Sequence, residues 1–207
     1  MTETPLFALF PLQTIAPPML ERLARLHHAV LPTLLSQLGL PFVERYYRAA
    51  IGDPYVIGFY AVHEQSGAPC GFAVGTPRPQ ALNAHLRQPP GWFAVQMARL
   101  LLRRPRLLWQ LLASARASAG QMADQPGAVE LTYLGVAEEW RGHGLGSQLL
   151  QAFLDASRCA GYRNVVLSVE TENAAAIRLY QRTGFVIRKT FREGRFERHR
   201  MELILIG

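Results

Sequence analysis

Val129-Glu130-Leu131-Thr132-Tyr133-Leu134-Gly135-Val136, followed after three residues by Trp140-Arg141-Gly142-His143-Gly144-Leu145-Gly146, is the stretch on which the fold turns. The first eight residues form an apolar run between Pro126-Gly127 and Glu138-Glu139, which predicts a strand. Glycines at 142, 144 and 146 then remove Cβ atoms where backbone must turn and come close to a ligand. From Gly146, the residues Leu149, Leu150, Phe153, Leu154 and Ala156 recur at helical spacing as far as Gly161, which suits a C′ glycine. A loop with free N–H groups that opens a helix is an anion site, because the unpaired donors and the helix dipole point the same way. Arg141 adds a permanent charge that can hold a phosphate in bidentate fashion. The loop reads as a diphosphate cradle.

Spacing narrows the kind of cradle. A P-loop needs Gly-Lys-Ser/Thr, and the only lysine in the chain is Lys189. A Rossmann fingerprint needs G-x-G-x-x-G, whereas these glycines alternate and position 149 is Leu. Beyond the helix come an apolar strand over Val165–Val169, then Asn173, then Ala175-Ala176-Ile177-Arg178-Leu179-Tyr180, then Gly184-Phe185. Arg141-x-x-Gly144-x-Gly146, taken with Leu134-Gly135-Val136 before it and these residues after it, resembles the GNAT family of N-acetyltransferases over roughly residues 130–185.

The resemblance implies a single α/β (α+β) domain over residues 1–207. Its sheet is mixed and mostly antiparallel, of about seven strands flanked by helices, and parts between Val136 and Val165 to admit acetyl-CoA. It implies acetyl transfer to an amine. Such an amine is protonated at neutral pH and cannot attack a thioester until the site removes that proton. Glu130 corresponds to the base of histone-type members, with a solvated strand-edge charge as the plain alternative, and Tyr133 is a second candidate that orients the acceptor. Tyr180 falls where the family places the tyrosine that protonates the departing sulfur. Leu134 would offer its N–H to the acetyl oxygen. Val136, with Gly135 beside it, would pair with the pantetheine arm. Both uses need a splayed or bulged strand. Arg141, Gly142, His143, Gly144, Leu145, Gly146 and Ser147 form the implied cofactor loop. Asn173 either holds the pantetheine or caps a helix. Members that acetylate ribosomal-protein N-termini carry a glutamate where this chain has Ser168, which turns the reading toward a small-molecule amine acceptor, such as an amino sugar. The rival readings are a protein or peptide N-acetyltransferase and a CoA-binding regulatory module without turnover.

Composition bounds the rest. The 207 residues are 49% apolar and 18% charged, ordinary for a folded chain. No apolar run is long enough to span a membrane, and no basic segment precedes Arg22. Cys70 and Cys159 lack metal spacing and read as buried free thiols; the histidines show no ligand pattern, so no metal site is expected. These features together suggest a cytoplasmic location. A homodimer is open. The net charge of +7 rests on 21 arginines, and residues 77–128 hold seven of them (78, 87, 99, 103, 104, 106, 116) against one acid, Asp124.

That basic segment is an insertion for the family, with helices expected over 92–103 and 106–119. It reads as a helical cover, as a lid over an anionic acceptor, or as a basic surface for an anionic membrane. Nucleic-acid binding is disfavoured because aromatics are not interleaved as stacking platforms. Elsewhere the pattern predicts a strand over 6–12 and helical regions over 19–31 and 34–50. The resemblance implies that these paired helices flank the acceptor entrance, so Tyr46, Tyr47 and Arg48 either line it or are core packing plus a solvated arginine. A hairpin is expected over 55–75, and two last strands over 186–191 and 199–206.

Overall fold

The computed structural model describes residues 6–103, 127–193 and 196–205. One of its inner strands is Pro69–Thr76 (β3), buried along almost its whole length because helices cover both faces. Phe72 and Val74 point into one core and Ala73 into the other, as the two-residue period of a strand requires. Outward from β3 lie Ile57–His63 (β2) and Phe7–Pro11 (β1) on one side. On the other lie Ala128–Val136 (β4), Asn164–Glu170 (β5), Phe196–Ile204 (β7) and Val186–Glu193 (β6). The order is β1-β2-β3-β4-β5-β7-β6, antiparallel throughout except for the parallel β4–β5 pair. The expected mixed, mostly antiparallel sheet of about seven strands is the sheet observed.

One layer of helices consists of Pro17–Val30 (α1), Leu34–Leu38 (α2) and Leu40–Gly52 (α3). Pro17 sits in the first turn of α1, where a missing N–H costs nothing. Thr33 caps α2 by accepting from the Ser36 N–H at 3.3 Å. Gly39, at φ +107°, makes the bend into α3 that a residue with a Cβ would resist. Phe42, Tyr46 and Tyr47 of α3 pack with Leu23 of α1 over Phe72 and Val74. Leu145–Cys159 (α6) covers the opposite face with Leu149, Leu150, Phe153 and Leu154, joined by Tyr180 of Ala174–Arg182 (α7). Two more helices, Pro79–His85 (α4) and Pro90–Arg103 (α5), stand between β3 and β4, where the helical insertion was expected. Trp92 and Phe93 of α5 meet the Phe42 ring at 5.1 and 6.1 Å. The helix expected over 106–119 lies outside the described residues.

Four details differ from the sequence reading. The prolines beyond Thr76 do not only break the chain, since Pro79 starts α4 from the first-turn position that proline favours. The segment Arg192–Arg198 belongs largely to β6 and β7, with Arg192 opposite Glu197; opposite charges facing across an edge pair support a strand that looks like a polar loop in one dimension. Cys70 is buried, but Cys159, the last residue of α6, is exposed. Val165 pairs with Val129, so the sheet parts further along, as follows.

Candidate active site

Where β4 and β5 run side by side, pairing covers only Ala128–Leu131 against Asn164–Leu167. Beyond these residues β4 stays with β3 and β5 stays with β7, and a wedge opens between them. A bulge at Thr132 begins the divergence, since Tyr133 pairs with Val74 and Leu131 with Gly75, leaving Thr132 as the extra residue. The Ala137 N–H donates to the Cys70 carbonyl at 2.9 Å. Alternation along an antiparallel pair then turns the backbone groups of Gly135 toward β3 and those of Leu134 and Val136 toward the wedge. The resemblance implies a splayed or bulged strand at these two residues, and β4 is bulged beside them.

At the wedge mouth the loop 141–146 leads into α6. Gly142 and Gly144 have φ of +82° and +79°, and a Cβ on either would meet nothing within 4 Å. Glycine is required there by backbone conformation, not by crowding. The first amides to bond back are those of Ser147 and Gln148, both to the Gly144 carbonyl at 3.0 and 3.1 Å. The donors ahead of them crown the positive end of the α6 dipole. Arg141 Nε donates to the Val136 carbonyl at 3.3 Å, which holds the guanidinium between the strand end and the loop. The His143 ring donates from Nδ1 to the Arg141 carbonyl at 3.0 Å and meets Trp140 edge-on. Leu145 is buried under the loop. Gly146 lies where a Cβ would stand 3.6 Å from Leu179 and 3.8 Å from Val136, so α6, α7 and β4 converge on it.

Tyr180 projects from α7 into the core cluster against which Leu134 and Val136 pack, 7% exposed and 5.6 Å from the Phe185 ring. Burial pushes its phenol far above the ordinary value, so it carries its proton at any physiological pH. Asn173 caps α7, its Oδ1 accepting from the Ala176 N–H at 3.1 Å. Of its two expected roles, the cap is the one visible.

The other wall is aromatic and polar. Tyr133 touches His27 and Tyr46 edge-on at 4.7 and 5.2 Å. His27 stacks on Phe72, and its Nδ1 lies 3.0 Å from the Tyr47 hydroxyl. Burial, with a smaller contribution from His28, lowers its pKa to about 3. Tyr46 and Tyr47 are core residues beneath this wall, and burial raises both phenols. Arg48 points outward to Glu44 at 3.3 Å. Glu130 stands at the start of the wedge with both carboxylate oxygens taken by Arg200 of β7, at 2.9 and 3.2 Å. Arg200 escaped the sequence reading because its approach to Glu130 depends on a strand register that no local pattern displays.

The site thus brings together Glu130, the wedge-facing Leu134 and Val136, the glycine loop and Tyr180, with Tyr133 turned to the aromatic wall. Among the described residues no group of three or more His, Cys, Asp or Glu side chains could hold a metal ion. Nor is any described helix long and apolar enough to cross a membrane.

A family model described as Acetyltransferase (GNAT) family matches residues 23–185. The mycothiol acetyltransferase of Corynebacterium aurimucosum is 42% identical over 64 residues, 31% of this chain and 21% of that protein. The L-methionine sulfoximine/L-methionine sulfone acetyltransferase of Pseudomonas aeruginosa is 46% identical over 52 residues, 25% of this chain and 30% of that protein. The chain therefore spans less than a third of the length of either curated relative. Among solved structures, Arabidopsis thaliana NAA60 in complex with acetyl-CoA superposes with a TM-score of 0.61 at 18% identity, covering 97% of this chain and 99% of that one. At that identity the likeness is one of fold.

Proposed function

Because the chain belongs to the GNAT acetyltransferase family, we propose that it transfers an acetyl group from acetyl-CoA to the amine of a small molecule. The observation that carries this reading is the wedge, where the wedge-facing amides of a bulged β4 meet the amides that open α6, beside the core cluster that holds Tyr180.

The residues fit acetyl-CoA. The amides ahead of Ser147 and the Arg141 guanidinium face the diphosphate, and Val136 pairs with the amide-bearing arm as a neighbouring strand would. Acetyl-CoA supplies an activated acyl group whose carbonyl gains negative charge as an amine attacks. The Leu134 N–H, already aimed into the wedge, stabilises that charge without reorganising. Glu130 takes the proton of the incoming ammonium, directly or through one water. Tyr180, kept neutral by burial, delivers a proton to the leaving sulfur. The amine nitrogen ends bonded to the acetyl carbon, the C–S bond breaks, and CoA leaves as the thiol.

The acceptor reading draws support from the two relatives, whose names denote small-molecule substrates. It also draws on Ser168 in place of a glutamate on β5. The test is release of CoA thiol from acetyl-CoA in the presence of L-methionine sulfone, glucosamine or cysteine. Acetylation of at least one, with a product confirmed by mass, supports the proposal. Tight acetyl-CoA binding with no transfer to any of the three would count against the small-molecule reading and favour its two rivals, a peptide acceptor or a CoA-binding module.

A further inference from the structure

Three adjacent strands converge on one carboxylate. Glu130 lies on β4 opposite Val166, and Ser168, two residues further along β5, shares that face. Arg200 is the β7 residue directly across from Ser168. From there Arg200 Nη1 donates to Glu130 Oε1 at 2.9 Å and to Ser168 Oγ at 3.1 Å, while Nη2 donates to Glu130 Oε2 at 3.2 Å. The guanidinium side chain is 22% exposed and the carboxylate 16%, so the contact is partly withdrawn from water.

From this geometry we infer that Arg200, itself anchored by Ser168, is a positioning residue that fixes the Glu130 carboxylate at the mouth of the wedge for proton removal from the acceptor amine. The inference rests on the proposed role of Glu130 as base. A fork-to-fork contact sets both the plane and the rotamer of a carboxylate, which a lysine or a single hydrogen bond does not. A free glutamate side chain samples many rotamers, and the two-point contact selects one of them. A misplacement of about 1 Å at a reacting centre can cost up to a hundredfold in rate. The location also fits. Glu130 is one residue before the last β4–β5 pair, Leu131 with Leu167, and two before the bulge at Thr132. Each carboxylate oxygen has two lone-pair sites, so one remains to accept a proton while the guanidinium occupies the other.

A solvent-facing ion pair would hold the sheet together and nothing more. A double-mutant cycle in the full-length protein separates the two cases. Using acetyl-CoA and whichever of L-methionine sulfone, glucosamine and cysteine is acetylated fastest, kcat and both KM values are measured for Glu130→Gln, Arg200→Met, Arg200→Lys and the double variant Glu130→Gln/Arg200→Met. The expected result is an approximately tenfold fall in kcat for Arg200→Met with acetyl-CoA KM unchanged, and partial recovery in Arg200→Lys. In the Glu130→Gln background, Arg200→Met should change kcat by less than about twofold, because its effect passes through the lost carboxylate. Should Arg200→Met fail to fold, Ser168→Ala removes the anchor alone and should lower kcat severalfold, again only when Glu130 is present. If Glu130→Gln is severely impaired but Arg200→Met or its substitute keeps full kcat, or the two effects multiply, the positioning role is wrong and the base survives. If Glu130→Gln keeps full kcat, the base assignment falls and takes this inference with it.

Discussion

Acid should destabilise this protein in part through His27. Its imidazole is fully buried between Phe72, Tyr47 and Tyr133, and its pKa is lowered to about 3 from an ordinary 6.5. In the unfolded chain the same ring takes a proton near 6.5. Between these two values the unfolded state binds more protons than the folded one, so stability rises with pH across that window. The contribution is fully present above about pH 6.5 and is lost as pH falls toward 3. At pH 5 the loss amounts to about 2 kcal/mol, from the 1.5 units separating pH 5 from the unfolded pKa at about 1.36 kcal/mol per unit. Comparing variants isolates the His27 contribution. His27→Asn stays uncharged at all pH. Its stability at neutral pH will be lower, since ring packing is lost, but its decline on acidification should be shallower. Urea unfolding of both proteins at pH 7.5 and pH 5.0 reads this directly. The wild type should lose about 2 kcal/mol more than the variant over that interval. Equal losses would refute the burial argument for His27.

Two further outcomes follow from the site and its supports. Tyr180→Phe keeps the buried ring and removes the proton, so kcat should fall by on the order of 10² with acetyl-CoA affinity little changed; a kcat within about twofold of wild type would mean that water protonates the sulfur. Gly75→Ala would drive a Cβ into the Glu130 carbonyl and place it 2.5 Å from the Phe153 ring. Overpacking of this kind costs about 1–3 kcal/mol or more, and because it presses on β4 beside Glu130 it should lower thermal stability and kcat together. An unchanged melting temperature would show that the strands yield there at no cost.

The parts of the site carried by local chemistry were legible in the sequence. Alternating glycines mark backbone at positive φ before a helix, and Gly142 and Gly144 have that conformation. An asparagine three residues before an amide it can accept from marks a helix start, and Asn173 caps α7. The apolar run 129–136 marks a strand; the irregularity that the family resemblance implied for it, and local pattern did not, has its counterpart in the Thr132 bulge. The parts set by register were not legible. Where β4 and β5 separate depends on which residues pair, and so does the meeting of Glu130 with Arg200, 70 residues apart in the chain. Cys159 looked like a core thiol by residue type, but helix phase alone decides that it faces out at the end of α6. Tyr46 and Tyr47 are adjacent in sequence, and both are buried because neighbouring elements, α1 on one side and the Tyr133 wall on the other, enclose the middle of α3.

The central claim is that the wedge and the loop 141–146 together form the acetyl-CoA site, and Gly144 tests it most directly. A side chain there meets open space, so Gly144→Asp should fold, at a strain of about 1–2 kcal/mol for a left-handed residue. Its carboxylate would stand among the amides that face the diphosphate. Calorimetric titration of CoA into wild-type and Gly144→Asp protein should show binding to the first and a roughly hundredfold or greater loss in the second, about 2.7 kcal/mol. Equal affinity in a folded variant would contradict the account.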